Sequence, residues 1–394
     1  MSDEIDQIVE HAILHKAFPG CVIYASHQGD PFFFKAYGYH TYDSINEVLE
    51  TDIYDLASVT KVASSTLALM KLYEDGKFDL DEPIGKYIQG IGRKVGRITF
   101  RKALAHFGGL EGWIPYYSEV RKKNGKYKRH TLSDSKSDDY SYQIASDVFL
   151  HQDFYQKIKR YIRKSKVNTQ PEYRYSGLFF YLIPELVKEL SGDDFETYLY
   201  NNFYKTLKTK TLGFNPLETF GEKQIVPTEI DTFFRMSQIH GVVHDEGAIM
   251  MKGVSGNAGL FGNGQDVASL MQMLVNGGEM NGIQYLDSST ISLFTSYQYP
   301  DYDNRRGLGF DKPLLEYDSV KSSVAKSSGA KSYGHSGYTG TLVWADPDSE
   351  LVYVFLSNRV YPNRKQKAIY ELNVRPDIHQ LLYDFIENKQ VQME

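Results

Sequence analysis

Strand patterns at both ends of the chain place the strongest constraint on its fold. Residues 21–26 and 32–37 are β-rich runs separated by a Gln-Gly-Asp-Pro turn. Residues 341–345 and 351–356 form a second such pair around an Asp-Pro-Asp-Ser turn. We therefore predict one antiparallel sheet that is built from both chain ends.

Helical periodicity completes the predicted architecture. Apolar residues recur at helical spacing over residues 3–17, and Pro376 opens a helix near the C-terminus. Between the ends the pattern is mainly helical, at about residues 58–75, 179–191, 194–206 and 266–276. The predicted class is α+β, an antiparallel sheet flanked by the N- and C-terminal helices with an inserted, mainly helical lobe. We expect residues 1–57 and 300–394 to form the sheet lobe, residues 58–299 to form the helical lobe, and the active site to lie between them.

The composition is that of an enzyme-sized globular protein. The chain has 394 residues, of which 41% are hydrophobic and 24% charged, so wholesale disorder is disfavoured. No apolar run approaches the roughly 18 residues that a membrane span needs. The net charge of −6 lacks the basic footprint of a nucleic-acid-binding surface. The expected partner is a small-molecule or peptide substrate, with no nucleic acid and no membrane span, and the oligomeric state is open.

Cysteine usage and the N-terminus bear on the compartment. The single cysteine, Cys21, excludes an intramolecular disulfide and a cysteine-based metal cage. The first residues are acidic and no apolar segment follows them, so we predict no signal peptide in this sequence. A cytoplasmic location therefore stays open.

Residues 118–142 form a polar stretch without periodicity, basic at first and rich in Ser and Asp later. We interpret this stretch as a solvated loop rather than an anion-binding lid. Loops of this kind form the walls of the expected pocket, so the sequence carries no readable code for the substrate.

Ser58 and Lys61 form the first candidate catalytic pair, at the point where a loop enters an apolar helix. Three residues make nearly one helical turn, so the two side chains project from the same face and their heads can meet. The positive end of the helix favours a developing alkoxide on Ser58 and disfavours an extra proton on Lys61. The pair is a candidate nucleophile and proton acceptor, and an N-cap serine beside an exposed lysine is the alternative.

Two later segments supply further candidates. Tyr175 precedes a helix, and a tyrosine beside a lysine can lose its phenol proton at modest cost and act as a general base. The Gly-rich run 334–341 precedes a strand whose edge can aim an N–H at an oxyanion, with the N–H of Ser58 as second donor. A core tyrosine and a Gly-rich turn are the alternatives.

Three short motifs thus follow one another along the chain: Ser58-x-x-Lys61, Tyr175-Ser176-x and His335-Ser336-Gly337. In this order they resemble the active-site motifs of serine β-lactamases and penicillin-recognising enzymes, nearest to the branch of class C β-lactamases, D,D-peptidases and esterases. The resemblance spans nearly the whole chain. Residues 243–245 and 356–362 resemble a bacterial subgroup that includes domains fused to family 3 glycoside hydrolases.

The resemblance implies a serine hydrolase that works through an acyl-enzyme without metal or cofactor. Ser58 would attack an acyl carbon, and Lys61 with Tyr175 would shuttle its proton. The N–H groups of Ser58 and Tyr338 would form the oxyanion hole, and water would release the acyl group. The implied substrates are a β-lactam, a D-amino-acid peptide or a small ester, and the implied location is the periplasm or cell envelope.

The strand motif is implied to bind substrate through His335, Ser336 and Gly337. His335 would take the place of a lysine that orients the substrate. With an unperturbed pKa of about 6.5, a protonated His335 would attract a substrate carboxylate at acidic pH. We expect that attraction to vanish mostly above pH 7.

One departure from the family pattern keeps a second function open. Gly177 stands where the family usually has Asn or Asp, and its lack of a side chain removes a contact to Lys61 or to the substrate amide. Asn257 also replaces a residue that is commonly His. The alternative function is a catalytically weak penicillin-recognising or peptidoglycan- or carbohydrate-binding sensor module.

Other histidines are weaker candidates. His244 and Asp245 could pair in catalysis, although a turn is the more economical account. His106 is expected to be a hydrogen-bonded structural residue. His11 and His15 lie four residues apart without an acidic partner between them, so we predict no metal site there.

Overall fold

The computed structural model describes residues 1–393, with side chains to residue 389, and contains the predicted antiparallel sheet. Its five strands are β1 (Gly20–His27), β2 (Asp30–Gly38), β3 (Tyr333–Ser336), β4 (Leu342–Asp346) and β5 (Leu351–Ser357). They lie in the order β3-β4-β5-β1-β2. β1 pairs with β5, and Cys21 lies opposite Ser357. The predicted α+β class, with a sheet built from both chain ends, is confirmed.

Alternation along β1 divides its side chains between two cores. Cys21 and Ile23 pack with the terminal helices Ser2–Leu14 and Val374–Met393 on one face of the sheet. Val22 and Tyr24 point to the opposite face and join the larger core, which includes the helix Gly264–Val275. Because both faces are covered, β5 is buried along its whole length, and its first six residues form an unbroken run of aliphatic and aromatic side chains.

The middle of the chain is mainly helical, as predicted. Its longer helices are Leu67–Glu74, Phe154–Lys164, Ile183–Ser191, Gly264–Val275 and Ser288–Thr295. Shorter α-helices are Arg93–Gly96, Phe100–Leu104, Phe195–Leu199, Lys205–Leu207, Glu246–Ile249 and Ala368–Glu371. Short strand pairs join Tyr54–Asp55 to Phe261–Gly262, Glu229–Ile230 to Gln238–Ile239, and Glu279–Met280 to Ile283–Gln284.

The polar stretch at residues 118–142 is more ordered than predicted. Its neighbourhood contains a three-stranded sheet of Leu132–Ser133, Tyr142–Ala145 and Val148–Leu150. Within residues 118–142, the side chains of Val120 and Leu132 are buried. The prediction of a solvated loop is therefore wrong in part, because strands of two to four residues are too short to show a period of two.

The helical segment that begins near Ser58 is not one regular α-helix. A 3₁₀ turn at Ala57–Val59 leads into a π-helix at Lys61–Thr66, and only Leu67–Glu74 is α-helical. Side chains satisfy backbone groups of the wide turn, since Tyr204 Oη donates to the Ala63 carbonyl oxygen at 2.8 Å. π-Helical turns are rare and are frequently found at functional sites.

All five strands of the main sheet fall within residues 1–57 and 300–394, the predicted sheet lobe. One short strand pair, Tyr54–Asp55 with Phe261–Gly262, joins that predicted lobe to the predicted helical lobe. The lobe boundaries stay a prediction. Over the described range, no helix combines the length and the apolar character that crossing a membrane requires.

Candidate active site

Ser58 and Lys61 meet at the start of the π-helix. Lys61 Nζ donates hydrogen bonds to Ser58 Oγ at 2.9 Å and to the Asn257 carbonyl oxygen at 2.8 Å. The lysine is only 2% exposed and lies over the Phe180 ring, 5.3 Å from its centroid. The alternative of an N-cap serine beside an exposed lysine is therefore wrong.

Asp55 braces the backbone turn that presents the serine. Ala57 has a φ of +46°, in the left-handed region that non-glycine residues rarely adopt. Asp55 Oδ1 accepts from the Ala57 N–H at 2.8 Å, and its Oδ2 accepts from the His244 N–H at 2.6 Å. Burial raises the pKa of Asp55, and these donors oppose the rise. The carboxylate thus ties a strained turn to a second loop.

Tyr175 reaches the same serine hydroxyl from another loop. Its Oη lies 3.2 Å from Ser58 Oγ. Burial acts to raise the pKa of Tyr175, but the positive charges of Lys61 and Arg306 outweigh it and lower the pKa below the usual value. A phenol of lowered pKa beside a serine can serve as its general base.

His106 positions the Tyr175 loop. Its Nδ1 accepts from the Ser176 N–H at 3.2 Å, and its carbonyl oxygen accepts from the Arg174 N–H at 3.0 Å. Ser176 Oγ donates to the Glu111 carbonyl oxygen at 2.6 Å. Burial lowers the pKa of His106 well below its usual range, so the ring stays neutral. The prediction that His106 is a hydrogen-bonded structural residue is confirmed.

The turn after β3 packs against the backbone that leads to the serine. Thr339 Oγ1 donates to the Asp55 carbonyl oxygen at 2.9 Å, and Thr341 Oγ1 donates to that of Leu56 at 3.1 Å. A Cβ at Gly337 would lie 2.7 Å from the Leu56 oxygen and 2.0 Å from Thr341 Oγ1. Glycine is required here because the chain's own backbone makes the close approach.

The two backbone N–H groups expected for an oxyanion hole are not engaged by the described backbone. Within residues 1–393, neither the Ser58 N–H nor the Tyr338 N–H donates to a backbone carbonyl. Both residues line the same cavity. Their role as oxyanion donors stays a prediction.

His335 lies behind this site as a neutral ring. Its Nδ1 donates to the Ser336 carbonyl oxygen at 2.7 Å, and its Nε2 accepts from Arg306 Nη1 at 3.2 Å. A carbonyl only accepts and a guanidinium only donates, so the Nδ1–H tautomer is fixed. Burial, together with the charge of Arg306, lowers the pKa of His335 to about 3. The expectation that His335 gains a proton near pH 6.5 is therefore wrong. Substrate binding by His335, Ser336 and Gly337 stays a prediction.

Arg306 is the site residue that the sequence analysis missed. Its guanidinium carbon lies 5.1 Å from the centroid of the Tyr175 ring, and its Nε donates to Tyr173 Oη at 3.3 Å. Arg306 supplies the positive charge that was expected of His335. Its only signal in the sequence is a pair of arginines before Gly-Leu-Gly-Phe, far along the chain from the tyrosine.

The three candidate catalytic side chains open into a cavity of about 490 Å³. Its lining includes two half-exposed aromatic residues, Trp113 at 50% and Tyr338 at 49% exposure. Glu246 and Arg364 form a charged part of the wall, with Arg364 Nη2 2.8 Å from Glu246 Oε1. A larger cavity, of about 600 Å³ around Tyr155, contains none of the candidate catalytic residues.

His244 and Asp245 do not form a catalytic pair. His244 Nε2 lies 2.7 Å from Glu229 Oε2, so the imidazole is engaged by a different carboxylate. Asp245 caps the helix Glu246–Ile249 by accepting from the Ala248 N–H at 2.7 Å. Within the part of the chain whose side chains are described, no three His, Cys, Asp or Glu residues are grouped to hold a metal ion.

Sequence comparison relates the chain to a known family and to named proteins. The family described as Beta-lactamase matches residues 5–374. The chain is 30% identical over 382 residues to N-acetylmuramyl-L-alanine amidase from Bacillus subtilis (strain 168), covering 90% of this chain and 80% of that protein. It is 30% identical over 328 residues to an Escherichia coli (strain K12) protein assigned provisionally as a D-alanyl-D-alanine carboxypeptidase, covering 78% and 69%.

Structural comparison gives the same architecture. EstCE1, a hydrolase with promiscuous acyltransferase activity, superposes with a TM-score of 0.67 over 95% of this chain and 97% of that chain. The two sequences are 18% identical, so this likeness concerns the fold.

Proposed function

The chain belongs to the beta-lactamase family and is a serine hydrolase, and on this premise we propose that it cleaves an amide of a peptidoglycan-type substrate through an acyl-enzyme. The observation that carries the proposal is the meeting of two proton-transfer groups at one hydroxyl. Lys61 Nζ and Tyr175 Oη lie 2.9 and 3.2 Å from Ser58 Oγ. A nucleophile with a base and a charged partner in reach is what acyl transfer requires.

In the first step Tyr175, as phenolate, takes the proton of Ser58 while Oγ bonds to the amide carbon. The lowered pKa of Tyr175 makes this base available nearer neutral pH. The N–H groups of Ser58 and Tyr338 receive the oxyanion, and each such donor is worth roughly 3 kcal/mol in the transition state. The proton then passes to the leaving nitrogen, with Lys61 in the relay, and the C–N bond breaks.

In the second step water replaces the departed amine. Tyr175 accepts a proton from the water while the water oxygen bonds to the acyl carbon. The bond between that carbon and Ser58 Oγ breaks, and the proton returns to the serine. No residue other than those of the first step is needed.

The nature of the substrate rests on the relatives and on the cavity wall. The relatives are named for amide bonds in N-acetylmuramyl-L-alanine and in D-alanyl-D-alanine, which are both peptidoglycan linkages. Trp113 and Tyr338 offer aromatic faces of the kind that pack against the apolar face of a sugar ring. N-acetylmuramyl-L-alanine is therefore the first substrate to test, followed by a D-alanyl-D-alanine peptide, a penicillin and a small ester. This substrate class also supports a location in the cell envelope, which fractionation of producing cells would test.

The proposal is tested by intact-protein mass spectrometry of the wild type and Ser58→Ala. The proteins are incubated with a fluorophosphonate and, separately, with a penicillin. We expect a mass increase in the wild type that the variant lacks, and steady release of alanine from N-acetylmuramyl-L-alanine by the wild type alone. Full turnover by Ser58→Ala would overturn the mechanism. Stable labelling without turnover on any of the four substrates would favour the sensor module.

A further inference from the structure

The loop at residues 253–260 brings an amide side chain into the active-site cavity beside Lys61. Asn257 lines the cavity, and its backbone oxygen accepts from Lys61 Nζ at 2.8 Å. The residue is 5% exposed, so its side chain is largely withdrawn from bulk water. A buried amide without hydrogen-bond partners is costly, which makes each of its polar atoms informative.

One end of this amide is held and the other is free. Ser255 Oγ donates to Asn257 Oδ1 at 2.6 Å, and Ser255 itself is fully buried. Within the side chains described, Asn257 Nδ2 donates to no acceptor. With Oδ1 accepting from Ser255, the two N–H bonds of Nδ2 remain available to a molecule in the cavity that Asn257 lines.

The backbone under Asn257 is fixed by close packing. The Gly256 carbonyl oxygen accepts from Ser65 Oγ at 2.8 Å. A Cβ at Gly256 would lie 2.4 Å from the Phe180 carbonyl oxygen, so the chain passes this point without room for a side chain. The amide is thus carried by a rigid segment rather than by a mobile loop, as a binding group requires.

The residue beside the Asn257 side chain is a glycine, Gly177. Gly177 also lines the cavity, and a Cβ built on it meets only Asn257 Cβ, at 3.9 Å. An ordinary van der Waals separation means that a side chain at residue 177 fits. A second amide could therefore be supplied to the same region from this neighbouring position.

We propose that Asn257 is a specificity-determining residue whose Nδ2 donates a hydrogen bond to a carbonyl oxygen of the substrate next to the scissile bond. The site then prefers substrates in which the reacting acyl group carries a neighbouring acylamino group. Of the substrates named above, a D-alanyl-D-alanine peptide has such a group, whereas N-acetylmuramyl-L-alanine has an ether oxygen at that carbon. The proposal rests on the proposed function, because it assumes that Ser58 is the nucleophile.

The test compares two p-nitrophenyl esters, of N-acetyl-alanine and of propionic acid, which differ by the acetylamino group. We expect Asn257→Ala to lower the selectivity, the ratio of the two kcat/KM values, by about tenfold, the effect of one lost hydrogen bond. The backbone contact to Lys61 is retained in this variant. Selectivity unchanged within about twofold would overturn the proposal.

A rescue experiment separates hydrogen bonding from packing. In the Asn257→Ala background, Gly177→Asn is expected to restore most of the selectivity, whereas the matched Gly177→Ala adds a Cβ without an amide and restores none. Equal recovery with Ala and Asn would refute a hydrogen-bonding role. Fluorophosphonate labelling of Ser58 is measured in every variant, so that failure of the nucleophile, which concerns the proposed function, is distinguished from failure of the selectivity.

Discussion

Nη1 of Arg306 lies 3.2 Å from Nε2 of His335, so a permanent positive charge stands behind a neutral imidazole. Asp311 Oδ1 lies 3.5 Å from Arg306 Nε and 2.7 Å from Arg305 Nε, which balances the buried guanidinium. Arginine does not lose its proton in proteins. The charge beside Tyr175 is therefore constant across the pH range in which a histidine would switch.

Replacing this charge is expected to change the pH dependence of the reaction. Arg306→Gln removes a cation that lowers the pKa of Tyr175, so the acid limb of kcat/KM moves to higher pH and activity at pH 7 falls about tenfold. Arg306→Lys keeps a charge and is expected to move the limb less. The measurement is the pH profile of ester hydrolysis. A limb at the same pH in all three proteins would show that Arg306 does not act on Tyr175.

Gly337 is expected to be indispensable for a steric reason. Gly337→Ala places a Cβ 2.7 Å from the Leu56 carbonyl oxygen, which forces the strand turn away from the serine. We expect a loss of about 2 kcal/mol in the free energy of unfolding and at least a tenfold slower labelling of Ser58. Gly213→Ala is the control, since nothing lies within 4 Å of a Cβ at that position. Similar losses in both variants would instead indicate a general cost of replacing glycine.

Much of the architecture could be predicted because it depends on local patterns. β-Rich runs and turn residues identify β1, β2, β4 and β5, and helical spacing identifies the terminal helices. The three motifs led to the family that the comparisons confirm. β3 is harder to predict because Tyr333–Ser336 has only four residues, contains Gly334 and is followed by Gly337. The fused glycoside hydrolase subgroup stays a prediction.

The parts of the site that could not be predicted depend on contacts between distant segments. Arg306 and Tyr175 are 131 residues apart, and no spacing rule joins them. The pKa of His335 depends on its burial and on that same arginine, so its unperturbed value gave the wrong charge. The π-helix at Lys61–Thr66 also depends on tertiary partners, among them Tyr204.

A buried histidine away from the site is expected to make the protein sensitive to acid. His379 is fully buried between the rings of Tyr353 and Tyr383, with centroids 4.8 and 4.9 Å away, and burial lowers its pKa to about 3. The unfolded chain, with a pKa near 6.5, binds this proton more readily. The contribution of the neutral His379 to the free energy of unfolding is therefore complete above about pH 6.5. Up to about 4 kcal/mol of stability is lost as the pH falls to 3.

The check is urea unfolding at pH 7, 5.5 and 4 for the wild type, His379→Gln and the exposed control His15→Gln. His379→Gln is expected to lose less stability than the wild type over this range, whereas His15→Gln should follow the wild type. Parallel curves for all three proteins would assign the acid sensitivity to other groups.

Trp113 is expected to contribute to binding of the sugar portion of the substrate. The indole is half-exposed in the cavity lining and its ring lies 5.9 Å from that of Tyr117, so its removal affects the cavity more than the core. Trp113→Ala should raise KM for N-acetylmuramyl-L-alanine about tenfold, as the loss of one aromatic contact predicts, and should change KM for a p-nitrophenyl ester by about twofold or less. Tyr200→Ala, which removes an equally exposed ring outside the cavity lining, is the control. An equal rise in KM for both substrates would mean that Trp113 shapes the cavity without recognising the sugar.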